Sequence, residues 1–104
     1  MKANISIGDE GHKEIEIIEM IGIEGVDAFI RRELEGGYYD EDGQETFLPS
    51  YKIYEWSSGT GMSQWQETKK DAIKQATELC KKYGPEYVQQ RIAEMIEQYG
   101  RAND

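Results

Sequence analysis

The apolar residues of this chain change period near residue 68, and no other feature limits its possible folds as strongly. Before that point they alternate in short runs, as in Ala3-Asn4-Ile5-Ser6-Ile7 and Glu14-Ile15-Glu16-Ile17. A two-residue repeat is the mark of half-buried strands. After that point they recur at three and four: Ala72, Ile73, Ala76, Leu79, Cys80 and Tyr83, then Val88, Ile92, Met95, Ile96 and Tyr99. Each set lies along one face of a helix. A β-rich part (1–67) followed by a helical part (68–100) within one small domain (1–104) is therefore expected.

The helices carry their own boundaries. Thr68 followed three residues later by Asp71 forms a capping-box-like start, Gly84-Pro85 ends one helix and opens the next, and Gly100 closes the second. The β-rich part is less regular. Residues 3–8 and 13–19 read as a hairpin around Asp9-Glu10-Gly11-His12, with the second strand able to run on to Ile23. The alternation slips at Ile17-Ile18, which marks either a bulge or an early end. Residues 25–35 then take helical spacing, with Val26, Phe29, Ile30 and Leu34 on one face and Gly36-Gly37 as the stop.

Strand-like pieces return at 37–40 and 45–48 around Asp40-Glu41-Asp42-Gly43, with Pro49 marking an edge or a break. Tyr51–Ser57 is a further strand, Ser58–Gly61 a turn and Met62–Glu67 a return strand, with Trp65 or Ser63 opposite Trp56 according to loop length. The expected fold is α+β. An antiparallel sheet of about four to six strands follows this pattern, with one short helix after the first hairpin and two C-terminal helices packed on one sheet face.

Charge divides the chain at the same point. Residues 1–66 hold 14 Asp/Glu against 5 Lys/Arg, whereas residues 67–104 hold 7 of each, so the net charge of −9 belongs to the β-rich part. Such a split suggests two faces with different partners. The low pI of about 4.6 argues against general binding to nucleic acid or anionic membrane, which needs clustered cations. No apolar run approaches the length of a membrane span, and the N-terminus lacks a signal-peptide core. The single cysteine, Cys80, precludes an internal disulfide framework and points to a reducing, cytoplasmic setting.

Motifs for chemistry are sparse, and neither catalytic residues nor a cofactor are expected. His12, the one histidine, reads as a surface-turn residue without the oriented partner that a general base needs. Cys80 falls on the inward stripe of its helix and reads as core. No metal spacing, nucleophile elbow or P-loop is present. Asp40-Glu41-Asp42-Gly43 does not fit a calcium loop, because Tyr38 and Pro49 would occupy its first and twelfth ligand positions. An Asp-Gly hairpin turn accounts for those residues.

Two constellations suggest partners. Residues 38–65 hold 7 of the 11 aromatics, interleaved with carboxylates. Alternate strand residues face opposite sides, so only some of these rings can enter a core. Tyr38, Tyr39, Tyr54, Trp56 and Trp65, with Asp40, Glu41, Asp42, Glu45 and Glu55, form the candidate docking surface for a basic partner protein. The same aromatic face could join two copies as a homodimer. The second constellation is Thr68-Lys69-Lys70-Asp71-Ala72-Ile73-Lys74. It loosely resembles the last helix of double-stranded-RNA-binding domains, which opens with a Lys-Lys pair followed by alanines. That resemblance implies phosphate contacts from Lys69 and Lys70, with Lys74 a turn further on; a nucleic-acid-binding reading of the whole helical part adds Arg91 on the second helix.

In size and acidity the chain is also similar to small phage- or plasmid-borne inhibitors of restriction and CRISPR nucleases, some of which mimic DNA. That likeness is one of character and has no motif behind it. The leading expectation is a non-enzymatic binding protein that docks on a basic, nucleic-acid-handling partner. The alternative is a nucleic-acid-binding module that uses the lysine-bearing helices.

Overall fold

The computed structural model describes all 104 residues as an α+β fold in three layers. Strands β1 (Lys2–Ser6) and β2 (His12–Glu16) form a two-stranded antiparallel sheet. Strands β3 (Glu19–Ile23), β4 (Val26–Tyr39) and β5 (Glu45–Glu55) form a three-stranded antiparallel sheet in that order. Helices α1 (Lys69–Tyr83) and α2 (Pro85–Tyr99) follow. No helix is long and apolar enough to cross a membrane.

The three-stranded sheet is the middle layer. Ala28, Ile30 and Ile53 face Ala72, Ala76 and Cys80 of α1, with Ile23, Val26, Met62 and Val88 completing that core. On the other side, Phe29 and Tyr54 meet Ala3, Ile5, Ile15 and Ile17 of the first hairpin. Phe29 stacks on Tyr54 and takes the edge of Trp56, with ring centroids 5.5 and 5.9 Å apart. Such pairs contribute about 0.5–1.5 kcal/mol beyond their buried area. The expected single sheet is thus two sheets of two and three strands. α1 covers one face of the larger sheet, α2 packs against α1 and adds Val88 to that core rather than lying on the sheet as expected, and the first hairpin covers the other face.

The short helix expected over 25–35 does not form. That segment is the start of β4, and the only helical turn outside α1 and α2 is a 3₁₀ turn at Gly8–Glu10. A strand covered on both faces has apolar residues on both faces and loses its alternation. Val26, Ala28 and Ile30 point one way and Phe29 the other, so their spacing imitates a helix. The turn before it is a two-residue hairpin on Glu24-Gly25, both at positive φ (48° and 79°), as a right-twisted hairpin requires. The slip at Ile17-Ile18 is where the chain changes sheets. The Ile17 N–H still bonds the Met1 carbonyl of the first sheet, and the Ile18 N–H already bonds the Ile30 carbonyl of the second.

The return strand at 62–67 is also absent. Only isolated bridges pair Tyr54 with Gly61 and Tyr51 with Gln66, so neither Trp65 nor Ser63 lies opposite Trp56. The segment 55–60 is instead a junction of all layers. The Glu55 carboxylate accepts hydrogen bonds from the backbone and hydroxyls of Ser57 and Ser58. The Gly59 carbonyl accepts from the Ser6 N–H, and the Ser57 carbonyl from the Ala102 N–H (2.9 and 2.7 Å). Gly59 lies so close to β1 that a Cβ there would come within 2.8 Å of the Ser6 nitrogen. The helix boundaries follow the sequence: Thr68 Oγ1 accepts from the Asp71 N–H (3.1 Å), and the Gly84 and Gly100 N–H groups cap their helices.

Candidate partner-docking surface

β4 is fourteen residues long but pairs with β3 over only its first five, Val26–Ile30. Beyond that point β4 and β5 continue alone as a two-stranded arm around the Asp40–Gly43 turn. At about 3.3 Å per residue the nine residues Arg31–Tyr39 span about 30 Å. This length accounts for the elongated outline of 51 × 29 × 22 Å. The tip is held locally: Asp40 Oδ1 accepts from the N–H groups of Asp42 and Gln44 (3.0 and 2.8 Å), an Asp-turn ending in Gly43 at φ 78°.

Neither layer covers the arm, so its side chains are exposed on both faces. Leu34, Tyr38, Tyr39, Phe47 and Leu48 are each about half or more exposed, Tyr39 by 73%. The register breaks between Glu35 and Tyr38, where Gly36 and Gly37 form a bulge. The Phe47 ring lies across Gly36, 2.6 Å from where a Cβ would stand, and Gly37 takes a φ of 98°. Residues 33–50 contain Glu33, Glu35, Asp40, Glu41, Asp42 and Glu45 and no Lys, Arg or His. Two-thirds of the net charge therefore sits on this one projection.

The ten candidate docking residues separate into three groups. Tyr38, Tyr39, Asp40, Glu41, Asp42 and Glu45 lie together on the exposed arm. Tyr54, Glu55 and Trp56 belong to the body instead. Tyr54 and Glu55 are buried, and Trp56 packs on Phe29 while its Nε1 donates to the Asp104 carbonyl (3.2 Å). β5 enters the body there, between the first hairpin and the 57–62 segment, so no face remains free. Trp65 is partly exposed but stands among cations, with the Arg31 guanidinium 5.2 Å and the Lys52 Nζ 6.0 Å from its ring centroid. Burial works against the charged form of Arg31, but its bonds to Tyr54 and Glu33 outweigh that and raise its pKa above the ordinary value.

Leu34, Phe47, Leu48, Glu33 and Glu35 complete the arm surface and were not among the sequence candidates. The signal that points to them is the run without a cation between Arg32 and Lys52. The homodimer expected through an aromatic sheet face finds both faces of the body sheet covered, which leaves only the arm exposed.

On the helices, Lys69 is paired with Glu19 and Arg91 with Glu94, whereas Lys70 and Lys74 are exposed without a carboxylate partner. His12 is the first residue of β2 rather than a free turn residue, half-buried with its Nε2 enclosed and without a hydrogen-bond partner. Cys80 is buried; desolvation, reinforced by the charge of Glu24, pushes its pKa up. A cleft of about 250 Å³ lies between α1, α2 and residues 58–62. Its one carboxylate, Glu55, is already engaged by Ser57 and Ser58. No three His, Cys, Asp or Glu side chains converge as a metal-binding group. Comparison with protein-family models, with curated proteins and with solved structures gave no match.

Proposed function

We propose that the protein is a non-enzymatic binding protein that docks through its β4–β5 arm on a basic partner protein. The form of this reading that fits best is an inhibitor occupying the nucleic-acid site of a nucleic-acid-handling enzyme. One observation carries it: an arm free of the body bears six carboxylates, no cation and five exposed large apolar residues. An isolated two-stranded ribbon is only marginally stable in water, and large apolar side chains left in solvent on such an element mark an interaction surface. Tyr38 and Tyr39 offer broad, rigid contact area with a polar tip. The carboxylates around them would steer a cationic surface into place and repel phosphate.

The nucleic-acid reading draws less support, because two of its four cations, Lys69 and Arg91, are engaged with carboxylates on this same chain. Affinity capture from the native cell with the intact chain tests the proposal. A variant carrying Tyr38→Ala, Tyr39→Ala, Asp40→Asn, Glu41→Gln and Asp42→Asn serves as the comparison. The expected catch is a protein of basic pI, retained at low salt, released at high salt, and lost with the variant. Retention by the variant, or at high salt, would refute docking through the arm.

A further inference from the structure

The arm has one open backbone edge and one blocked edge. On the reading that the arm docks a basic protein, this difference fixes how the partner is held. The Ile30 carbonyl accepts from the Ile18 N–H, and the Asp27 carbonyl from the Trp56 N–H, each at 2.9 Å. Amide and carbonyl groups of successive strand residues point to opposite edges. Even-numbered residues of β4 therefore face the β3 side, and odd-numbered residues face β5. β3 ends at the Glu19–Ile30 pair, so the next even residues, Arg32 and Leu34, have no strand beside them.

The outer edge of β5 differs. Tyr51 exchanges hydrogen bonds with Gln66 (2.7 and 2.8 Å), and the Met62 N–H donates to the Ile53 carbonyl (2.7 Å). Odd-numbered β5 residues thus face outward, and the next one along the free edge is Pro49, which has no N–H to offer. Proline on an exposed edge is a usual device against strand addition. The β4 edge has no proline at Arg32 or Leu34, and the Gly36-Gly37 bulge ends its open stretch just past Leu34.

We propose that an extended basic segment of the partner protein adds to β4 at Arg32–Leu34 as a further strand, in line with β3. Side chains of neighbouring strands share a face when they stand opposite one another. Leu34 and its pair Pro49 lie on the helix side of the sheet, and Glu33, with Glu35 and Leu48, lies on the other. An added strand therefore meets mainly apolar groups on one face and carboxylates on the other. It has to alternate apolar residues with Lys or Arg. Arg32, the one cation on this stretch, stands at the foot of the edge on the apolar side. A second copy of this chain is a poor occupant, because two such arms set side by side bring twelve carboxylates together without a cation between residues 33 and 50 of either.

The test is a magnetic-resonance titration of the full chain with a short peptide alternating lysine with valine. The same peptide N-methylated at alternate backbone positions is the control. Expected is binding of the unmethylated peptide, with slowed amide exchange at Arg32 and Leu34. Affinity should fall at least tenfold for the methylated peptide, and likewise for Leu34→Pro. That substitution deletes the outward N–H and leaves the inward β4–β5 bonds in place. Equal binding of the two peptides, or no loss with Leu34→Pro, would overturn strand addition and leave docking by charge standing. Failure of the unmethylated peptide to bind at all would also overturn it, and the capture experiment would then judge docking by the arm separately.

Discussion

Cys80 shows how one residue ties packing to chemistry. It faces the sheet from α1 beside Ala76, and burial there favours the neutral thiol over the thiolate. The nearby charge of Glu24 acts in the same direction. Its pKa is therefore raised in the fold above the ordinary thiol value of 9.0. An unfolded chain ionises this thiol near that value, whereas the folded chain holds the proton to higher pH. The stabilising effect is complete below pH 9.0 and is lost as pH rises towards the folded value. Urea midpoints for the native chain and for Cys80→Ala, compared across this range, should converge as pH rises. Parallel curves would mean that the thiol does not titrate differently in the two states. A buried neutral thiol is also a poor nucleophile, which suits a core role rather than a catalytic one.

At the scale of elements, the arm and the body should respond differently to the same kind of damage. Gly37 sits at φ 98°, a conformation that costs an L-residue about 1–3 kcal/mol. Gly37→Ala should therefore loosen the bulge and the Phe47 contact across Gly36, and speed amide exchange in the arm about tenfold. The thermal midpoint should hardly move, because no core residue lies between Leu34 and Leu48. A large drop in that midpoint would show that arm and body unfold together. The arm was only partly legible in the sequence. Its turn was legible, because Asp-Gly chemistry is local. Its length was not, because Gly36-Gly37 serves equally as a helix stop or as a bulge. Val26, Phe29 and Ile30 gave a helical period only because β4 is covered on both faces. The helices α1 and α2 were legible throughout, since their caps and stripes lie within the segments themselves. Tyr54, Glu55 and Trp56 were misplaced on the surface for the opposite reason. Tyr54 and Trp56 are covered by the first hairpin and the C-terminal residues, contacts too distant in sequence for a local pattern to announce, whereas Glu55 is engaged by its near neighbours Ser57 and Ser58.

The molecule as a whole is closed by Asn103, which joins its first and last strand-forming regions. Its Oδ1 accepts from the Asn4 N–H, and its Nδ2 donates to the carbonyls of Asn4 and Trp56, each at 2.8 Å. Asn4 returns a bond from Nδ2 to the Ala102 carbonyl (3.1 Å). β1, the end of β5 and the residues after α2 are thereby held together beside Gly59, the point where a side chain has no room. Asn103 is itself 9% exposed, so water replaces little of this network. Asn103→Ala leaves the Asn4 N–H and the carbonyls of Asn4 and Trp56 short of partners, and each such group costs about 1–3 kcal/mol. A total loss of about 3 kcal/mol or more is expected in urea unfolding, with the slope against denaturant unchanged. Asn103→Asp should cost more despite its equal size. It keeps the acceptor for Asn4 but sets a carboxylate against two carbonyl oxygens, where the amide donated to both. Equal stability of the two variants would mean that Asn103 acts by filling space rather than by hydrogen bonding. The arm is remote from this clasp, so binding of a basic partner should survive either substitution wherever the chain remains folded.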